Sequence, residues 1–356
     1  NFPFRKDQFA EGRVHDMSYY KGKLYLYFSP VPVLLLFWPY HALTGGYLRH
    51  NVAVAIFSSV GLLIAAGLIC AAWRRYFPRV HGGTVTVCVL ALGLASGVPV
   101  MMFRPDLWEV PISCAYALTM LALAAIWCGL HDPGHRCRWA MAASIAYALA
   151  IASRPSVLFG ALILTVPLLD SWRDSAATAK ARLSRVTSVL CAMAIPLILI
   201  GACVALYNYL RFGDPMEFGQ RYQLAADRQD VAQHFSLRFL WFNFRLYFFS
   251  FASWDWNFPF VRDVVVPLLP SGHGDVDRPY GILTNTPIAL FALAVPILWH
   301  RAAPRPYALS MFVVAATLTF FTSALTLCLF YGTCTRYIVE FAPEFMVLAC
   351  IGLLVS

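Results

Sequence analysis

The sequence predicts an all-α integral membrane protein, a polytopic bundle of about nine or ten spans with one long, aromatic-rich outer loop region. The first observation is composition: 60% of the 356 residues are hydrophobic and 13% are charged. A soluble domain averages about 45–50% apolar and about 25% charged residues. The second observation is that apolar runs of about 20 residues, the length that crosses roughly 30 Å of hydrocarbon, recur along the chain.

Nine apolar runs are long enough to be predicted as spans. They cover residues 51–73, 83–103, 112–130, 139–153, 156–170, 187–209, 282–299, 307–330 and 337–355. A further apolar stretch, 31–48, contains Pro32 and Pro39, so it is either another span or a shorter helix at the membrane interface. The chain starts in polar sequence at Asn1 and ends directly after an apolar run. We therefore expect 1–356 to be a single transmembrane domain, and a fragment that lacks an upstream span.

Basic residues are unevenly divided among the short loops. Loops with two to four Lys or Arg are 74–82, 131–139, 171–186 and 300–306. Loops with one arginine are 104–111, 153–155 and 331–336. The two kinds alternate, and the positive-inside rule places the first kind in the cytoplasm. The second kind and the long loop region 210–281 are therefore predicted to be extracytoplasmic.

Charge and cysteine content argue against two classes of protein. The net charge of +9 comes from basic residues between apolar runs rather than from one patch, so no nucleic-acid partner is expected. Most of the ten cysteines lie within apolar runs, and the sequence has no CxxC pair or Cys/His ligand spacing. Neither a disulfide framework nor a zinc site is expected.

The outer region 210–281 is rich in Phe, Trp and Tyr. Tryptophan and tyrosine favour the headgroup region of a bilayer. We interpret residues 235–252 as a helix along the membrane surface, with Arg238 and Arg245 available to anionic headgroups. The alternative is that these aromatic side chains pack the loop region onto the spans.

Charged residues gather at the outer ends of the predicted spans, whereas the spans are almost free of charge. No Asp/Glu/His relay and no ladder of arginines crosses a span, which argues against a proton-coupled pump or a voltage sensor. The pattern favours an active site at the outer face. In the first cluster, Asp16 could act as a general base and Lys23 could bind a phosphate. The alternative is a solvated juxtamembrane segment.

Two short outer loops carry the next clusters. The loop 104–109 offers Asp106 and Glu109 to a metal, a phosphate or an acceptor; alternatively it is a polar cap. Arg154 stands between two apolar runs and is followed by a proline. Its side chain either reaches a lipid phosphate or extends to the interface.

The last two clusters flank the long loop region. Segment 207–222 leaves the membrane, turns at a Gly-Asp-Pro step and presents Arg211 and Glu217. Arg336 comes just before the last predicted span, with Glu340 four residues later. The plain structural interpretation is a salt bridge between these two side chains. The functional interpretation is that Arg336 faces a substrate phosphate.

These clusters, in this order, resemble the motifs of bacterial GT-C glycosyltransferases, in particular the lipopolysaccharide-core transferase and protein O-mannosyltransferase-like group. The matching stretches are Asp16 with Tyr20-Lys21-Gly22-Lys23-Leu24-Tyr25 and Phe28-Ser29-Pro30-Val31-Pro32, Arg154-Pro155, Tyr207-Asn208 with Arg211-Phe212-Gly213-Asp214-Pro215, and Arg336-Tyr337 with Glu340-Phe341-Ala342-Pro343. The chain departs from the family where His15-Asp16 replaces a frequent acidic pair. The family's first span, which should precede this loop, is expected to be missing from the sequence.

The resemblance implies a GT-C-like fold and a sugar donor linked to polyprenyl phosphate in the membrane. The sugar would pass to a glycan, lipid or protein acceptor at the outer face of a bacterial inner membrane. A single inverting displacement with an aspartate base would transfer it. The sequence has no ligand spacing that demands a cofactor, and Asp16 and Asp106 together could hold a divalent metal.

The resemblance also assigns roles to particular residues. Asp16 is the expected catalytic base. The residues expected near the lipid phosphate are Lys23, Arg154, Arg211 and Arg336. The residues expected to form an acceptor site or a second acidic site are Asp106, Glu109 and Glu217. The competing function is a multi-pass transporter or lipid flippase, which would need polar residues inside spans and repeated halves.

Overall fold

The structure is a computed structural model that describes residues 17–173, 178–224, 233–258, 260–262, 264–274, 276–277, 280–301 and 306–356, with backbone alone at 298–301. Its helices in chain order are α1 (Val33–Thr44), α2 (His50–Tyr76), α3 (Gly82–Ala95), α4 (Val98–Phe103), α5 (Glu109–His131), α6 (Arg136–Ser153), α7 (Pro155–Trp172), α8 (Ala179–Phe212), α9 (Leu237–Phe249), α10 (Ile282–Asn285), α11 (Leu290–Arg301), α12 (Tyr307–Leu329) and α13 (Ala342–Val355).

Five of these described helices, α2, α5, α7, α8 and α12, are long and apolar enough to cross a membrane. Each corresponds to a predicted span, so the multi-pass all-α prediction is confirmed. Helix α1 is apolar but too short to cross about 30 Å of hydrocarbon. Of the two alternatives for residues 31–48, the shorter helix is therefore the one that forms.

Three predicted spans are interrupted. The predicted span 83–103 is broken between α3 and α4, where Gly97 has φ +83°. A Cβ atom at this position would also lie 2.9 Å from Val339 Cγ2, so both conformation and space require glycine. The predicted spans 282–299 and 337–355 likewise begin as short turns, and their α-helices start only at Leu290 and Ala342.

Helices α5 and α13 form the centre of the bundle. Helix α5 packs against α2, α6 and α12, and helix α13 packs against α3, α11 and α12. Their buried side chains point in most directions around the helix axis and are mostly apolar, as expected of helices that neighbours cover on most sides; Glu109 and Glu344 are the buried charged side chains. Helix α8, by contrast, contacts mainly α6 and α7 and is mostly exposed, which is the pattern of a helix that faces lipid.

The loops at one end of the bundle join into one layer, which we call the loop layer: the described residues of 17–30, 104–109, 213–224, 233–281 and 330–341. Its strands are β1 (Met17–Tyr20), β2 (Lys23–Leu26), β3 (Ser253–Trp254), β4 (Val261–Arg262), β5 (Val276–Asp277) and β6 (Thr333–Cys334). Strands β1–β2 and β3–β4 are antiparallel pairs, and β5–β6 is a parallel pair. The layer is the end of the bundle predicted to be extracytoplasmic.

Hydrogen bonds between distant parts of the sequence hold the loop layer together. The Ser18 hydroxyl donates to the Gly219 carbonyl over 2.7 Å, and the Leu224 N–H donates to the Met17 carbonyl over 2.7 Å. The β1–β2 turn has positive φ at Lys21 and Gly22, which matches the type I′ turn favoured in two-residue hairpins.

Helix α9 forms within the predicted helical stretch 235–252. Its inner face is buried against the bundle and includes Phe239, Tyr247 and Phe248, whereas Trp241 is exposed. On this inner face, the aromatic side chains therefore pack the loop region onto the spans, as the alternative interpretation predicts. The surface orientation of the helix stays a prediction.

Candidate active site

Arg154 is held at the junction of α6 and α7. It adopts an extended conformation between Ser153, the last residue of α6, and Pro155, the first residue of α7. A residue before proline is disfavoured in the helical region, so the Arg-Pro step itself ends α6. The break turns the guanidinium towards the interior of the loop layer.

The carboxylate of Glu340 is the main partner of Arg154. Arg154 Nε donates to Glu340 Oε1 over 2.8 Å, and Arg154 Nη2 contacts the same oxygen. Both side chains are largely buried. Within the described part of the chain, Glu340 Oε2 has no hydrogen-bond partner. The pair is thus a buried salt bridge in which one carboxylate oxygen is left unused.

Arg211 lies near the end of α8 and faces neutral groups. Its Nη1 donates to the Leu26 carbonyl over 2.9 Å, and its Nη2 donates to Asn208 Oδ1 over 3.0 Å. The guanidinium carbon lies 4.0 Å from the centre of the Tyr207 ring. Among the described residues, Arg211 Nε is buried without a hydrogen-bond partner. Its positive charge therefore has no carboxylate partner among these contacts.

A cavity of about 230 Å³ lies between Arg154 and Arg211. Its volume is several times the roughly 30 Å³ that one water occupies in the liquid, so a phosphate-sized group would fit. Polar side chains of the wall include Tyr27, Ser29 and Gln220. Apolar side chains of the wall include Phe28, Val204 and Phe218. The arrangement suits a ligand with an anionic group and an apolar part.

Arg336 is linked to this cavity through an aromatic ring. Its guanidinium carbon lies 5.6 Å from the centre of the Tyr337 ring, and that of Arg154 lies 5.4 Å from the same centre. Arg336 Nη1 lies 3.6 Å from Glu109 Oε1. Burial raises the pKa of the neighbouring Cys334 thiol to about 11, so this thiol is neutral at pH 7 and provides no counter-charge.

The salt bridge between Arg336 and Glu340 proposed as the plain structural interpretation does not form. Glu340 pairs with Arg154, and Arg336 pairs with Glu109. The reason is local: Thr335–Glu340 is a 3₁₀ helix. Because a 3₁₀ helix has three residues per turn, residues four apart do not share a face.

Two other candidates lie away from the cavity wall. Lys23 is exposed on β2, opposite Tyr20. Glu217 is buried and accepts a hydrogen bond from the Gly219 N–H over 2.7 Å, so its carboxylate stabilises its own turn. Neither side chain lines the space between the two arginines.

The acidic loop 104–109 lies beside Arg336. Asp106 is exposed, and its backbone N–H donates to Glu109 Oε2 over 3.0 Å. In the described ranges no group of three or more His, Cys, Asp or Glu could hold a metal ion. Asp16, the predicted base, lies outside the described residues, so the metal prediction that pairs it with Asp106 stays a prediction.

Sequence reasoning missed several residues of the cavity. Tyr27, Tyr207, Asn208 and Gln220 contribute to its wall. The quoted motif stretches contain Tyr207 and Asn208, but nothing in their spacing distinguished cavity residues from residues of a solvated turn. Tyr337 was also within a quoted motif, and only the structure shows its position between two guanidinium groups.

The fold is similar to that of ArnT from Cupriavidus metallidurans, a GT-C glycosyltransferase whose crystal structure contains bound undecaprenyl phosphate. The TM-score is 0.50 at 18% sequence identity, and the match covers 97% of this chain and 53% of the ArnT chain. The chain has the GT-C fold. It spans about half the length of ArnT. No family model and no curated protein sequence matches the chain.

The GT-C fold was the expectation that the resemblance in the motifs raised, and it is confirmed. At this sequence identity the likeness extends to the fold alone. The cavity with Arg154 and Arg211 lies at the end of the bundle where the loops join. What the cavity binds therefore has to be argued from its own residues.

Proposed function

We propose that this chain is a glycosyltransferase whose donor is a sugar linked to polyprenyl phosphate. The observation that carries the proposal is the cavity between Arg154 and Arg211, at one end of a membrane-spanning GT-C fold. Arginine presents planar pairs of donors that match phosphate oxygens. The undecaprenyl phosphate in the ArnT crystal structure supports a carrier of this kind.

The two arginines would play different parts. Arg154 is already paired with Glu340, so its guanidinium is fixed in direction and partly neutralised. The partners of Arg211 that the structure describes are an amide oxygen and a carbonyl oxygen, which leave its charge available to an anion. We infer that Arg211 provides most of the attraction for the phosphate and that Arg154 orients it.

The proposed reaction is a single displacement at the anomeric carbon. The acceptor oxygen forms a bond to this carbon while the bond from the carbon to the phosphate oxygen breaks. The electron pair leaves with the polyprenyl phosphate, whose growing charge the arginines stabilise. The acceptor proton passes to Asp16, the base that the family resemblance implies. The product then has inverted configuration.

The same proposal includes the location and the partners. The reaction would occur at the extracytoplasmic face of a bacterial inner membrane, where the loop layer would meet a glycan, lipid or protein acceptor. Lys23, Arg336, Asp106, Glu109 and Glu217 remain candidates for contacts with donor or acceptor. A divalent metal would require Asp16 and Asp106, and loss of activity on chelation would support it.

Donor turnover in membranes tests the proposal. Membranes that contain the full-length protein are given a panel of labelled polyprenyl-phosphate sugars, and release or transfer of the sugar is followed. The variants are Asp16→Asn and, as a matched control on the exposed face of α9, Arg238→Gln. We expect the parent and Arg238→Gln to consume at least one donor and Asp16→Asn to consume none.

The other outcomes are also informative. If Asp16→Asn still consumes donor, the glycosyltransferase proposal stands but the base is a different residue. Asp106 is then the next candidate for the base. If the folded parent consumes no donor, the glycosyltransferase proposal fails. Movement of a labelled lipid between leaflets would then support the transporter or flippase alternative.

A further inference from the structure

An exposed aromatic hairpin follows helix α9. We call the described residues of 251–269 the aromatic tip. Its side chains are among the most exposed apolar groups of the chain: Trp256 is 97% exposed, Phe258 85% and Trp254 78%. Leu268 is 98% exposed and continues the same apolar surface along the chain. Apolar surface of this extent marks a site of interaction rather than a surface in contact with water.

The tip is folded despite its exposure. The Asp255 N–H donates to the Phe260 carbonyl over 2.8 Å, and the Phe260 N–H donates to the Asn257 carbonyl over 2.7 Å. Asp255 also forms an ion pair with Arg262 across the β3–β4 hairpin. The hairpin thus satisfies backbone groups internally and pairs these two charges. Both properties lower the cost of leaving water.

The base of the tip is fixed beside the apolar helix α11. The Ser250 carbonyl accepts hydrogen bonds from the Gly281 N–H over 3.1 Å and from the Asn285 amide over 2.7 Å. The Asn285 side chain in turn accepts from the Ala252 N–H over 2.9 Å. These bonds join the start of the tip to residues 281–285. The apolar helix α11 begins only a few residues later, at Leu290. The tip therefore leaves the protein near the level at which an apolar helix of the bundle starts.

We propose that the aromatic tip inserts into the lipid headgroup region of the membrane that the bundle crosses. Tryptophan is enriched at this depth because its ring is apolar and its N–H is polar. The contrast with α9 supports the assignment. The inner aromatic side chains of α9 are buried in protein, whereas those of the tip, two to eleven residues after the helix ends, have no comparable cover among the described residues. This inference is independent of the catalytic proposal, because it needs only a membrane-spanning chain.

Fluorescence quenching tests the insertion. The full-length protein is reconstituted into phosphatidylcholine nanodiscs, as the parent and as the double variant Trp254→Phe, Trp256→Phe. The difference between their emission spectra isolates the two tip tryptophans from the other eight of the ten in the chain. We expect this difference emission to be quenched by lipids with brominated acyl chains and to be little affected by iodide in the buffer.

The matched control is Trp127→Phe, because Trp127 is buried within α5. Its difference emission should be insensitive to both quenchers. Strong quenching of the tip emission by iodide would place the tip in water and overturn the proposal. Insensitivity of the tip emission to both quenchers would mean that protein covers it, which would equally overturn the proposal.

Discussion

Arg154 and Arg211 line the same cavity but differ in their partners. Arg154 is fixed by a buried carboxylate, and Arg211 by neutral oxygens. A buried ion pair contributes little net stability when compared with an apolar pair, but removal of one partner leaves a buried charge that is costly. The two arginines should therefore respond differently to substitution, Arg154 in stability and Arg211 in ligand binding.

The Arg154–Glu340 pair gives the first prediction. Glu340→Gln leaves the Arg154 guanidinium buried without its counter-charge, so we expect a loss of about 3–5 kcal/mol in the free energy of unfolding. Thermal unfolding in detergent, followed by the exposure of buried cysteines, measures the change. The double variant Arg154→Met, Glu340→Gln should recover most of the loss, because no uncompensated charge remains. If the loss in the double variant equals the sum of the losses in Glu340→Gln and in Arg154→Met alone, the pair is not the interaction that the structure describes.

At the residue scale, the sequence shows where the arginines lie relative to the apolar runs, but it does not show their partners. Arg154 and Arg211 are basic residues at the ends of apolar runs, a local pattern that a sequence shows directly. Glu340 lies 186 residues from Arg154 along the chain, and no local pattern joins them. Its proximity to Arg336 in sequence suggested a pair that the 3₁₀ conformation of 335–340 prevents.

Strand β6 is the element that positions Arg336, and Asn243 of α9 supports it. Asn243 Nδ2 donates to the carbonyls of Cys328 and Phe330 over 3.1 and 2.7 Å, at the end of α12. Asn243 Oδ1 accepts from the Thr333 hydroxyl over 2.6 Å. One buried side chain thus joins α9, the end of α12 and β6.

The second prediction follows from this network. Asn243→Ala leaves buried carbonyl oxygens without donors, at a cost of about 1–3 kcal/mol. We expect faster amide hydrogen exchange over residues 327–336, measured by mass spectrometry. Asn257→Ala, in the exposed turn of the aromatic tip, is the matched control and should leave that segment protected. Unchanged exchange in Asn243→Ala would show that other contacts hold β6 in place.

The third prediction concerns pH and the junction of α9 with α12. Burial lowers the pKa of His234, whose backbone carbonyl accepts from the Tyr331 N–H over 2.9 Å. The unfolded chain keeps the ordinary pKa of about 6.5, so it takes up the proton first as the pH falls. The folded state should therefore lose stability below about pH 6.5 and be unaffected by this group above it.

Comparison of the parent with His234→Gln isolates this contribution from the other histidines. Thermal unfolding is measured across the range from about pH 7.5 to about pH 5, which brackets the ordinary histidine pKa. The parent should lose more stability on acidification than the variant does. Parallel pH profiles for the two proteins would show that His234 does not titrate differently on folding.

At the element scale, the long helices could be predicted because each is a single local run of apolar residues. The interruptions within the apolar runs could not be predicted in this way. Gly97 lies inside a run that reads as one continuous span, and the requirement for glycine comes from the approach of Val339. The β5–β6 pair joins strands more than fifty residues apart, each only two residues long, and neither has a recognisable pattern.

For the whole molecule, the order of the motifs predicted the GT-C fold, which the similarity to ArnT confirms. Composition and periodicity alone gave only a multi-pass bundle. The cavity could not be predicted, because it depends on how residues 27–30, the α6–α7 junction and the end of α8 meet. The division of the aromatic residues into a packed helix and an exposed tip likewise follows from tertiary packing.

The central claim is that the cavity binds the phosphate of a polyprenyl carrier, and Arg211 tests it most directly. Affinity for undecaprenyl phosphate is measured by native mass spectrometry on the full-length protein, its Arg211→Gln variant and the matched variant Arg79→Gln, an exposed arginine of the predicted cytoplasmic loop 74–82. Hydrogen bonds to a charged group contribute about 1.5–3 kcal/mol, so Arg211→Gln should bind roughly ten- to a hundredfold more weakly. Arg79→Gln should bind as the parent does. Equal affinity in all three proteins would contradict the account.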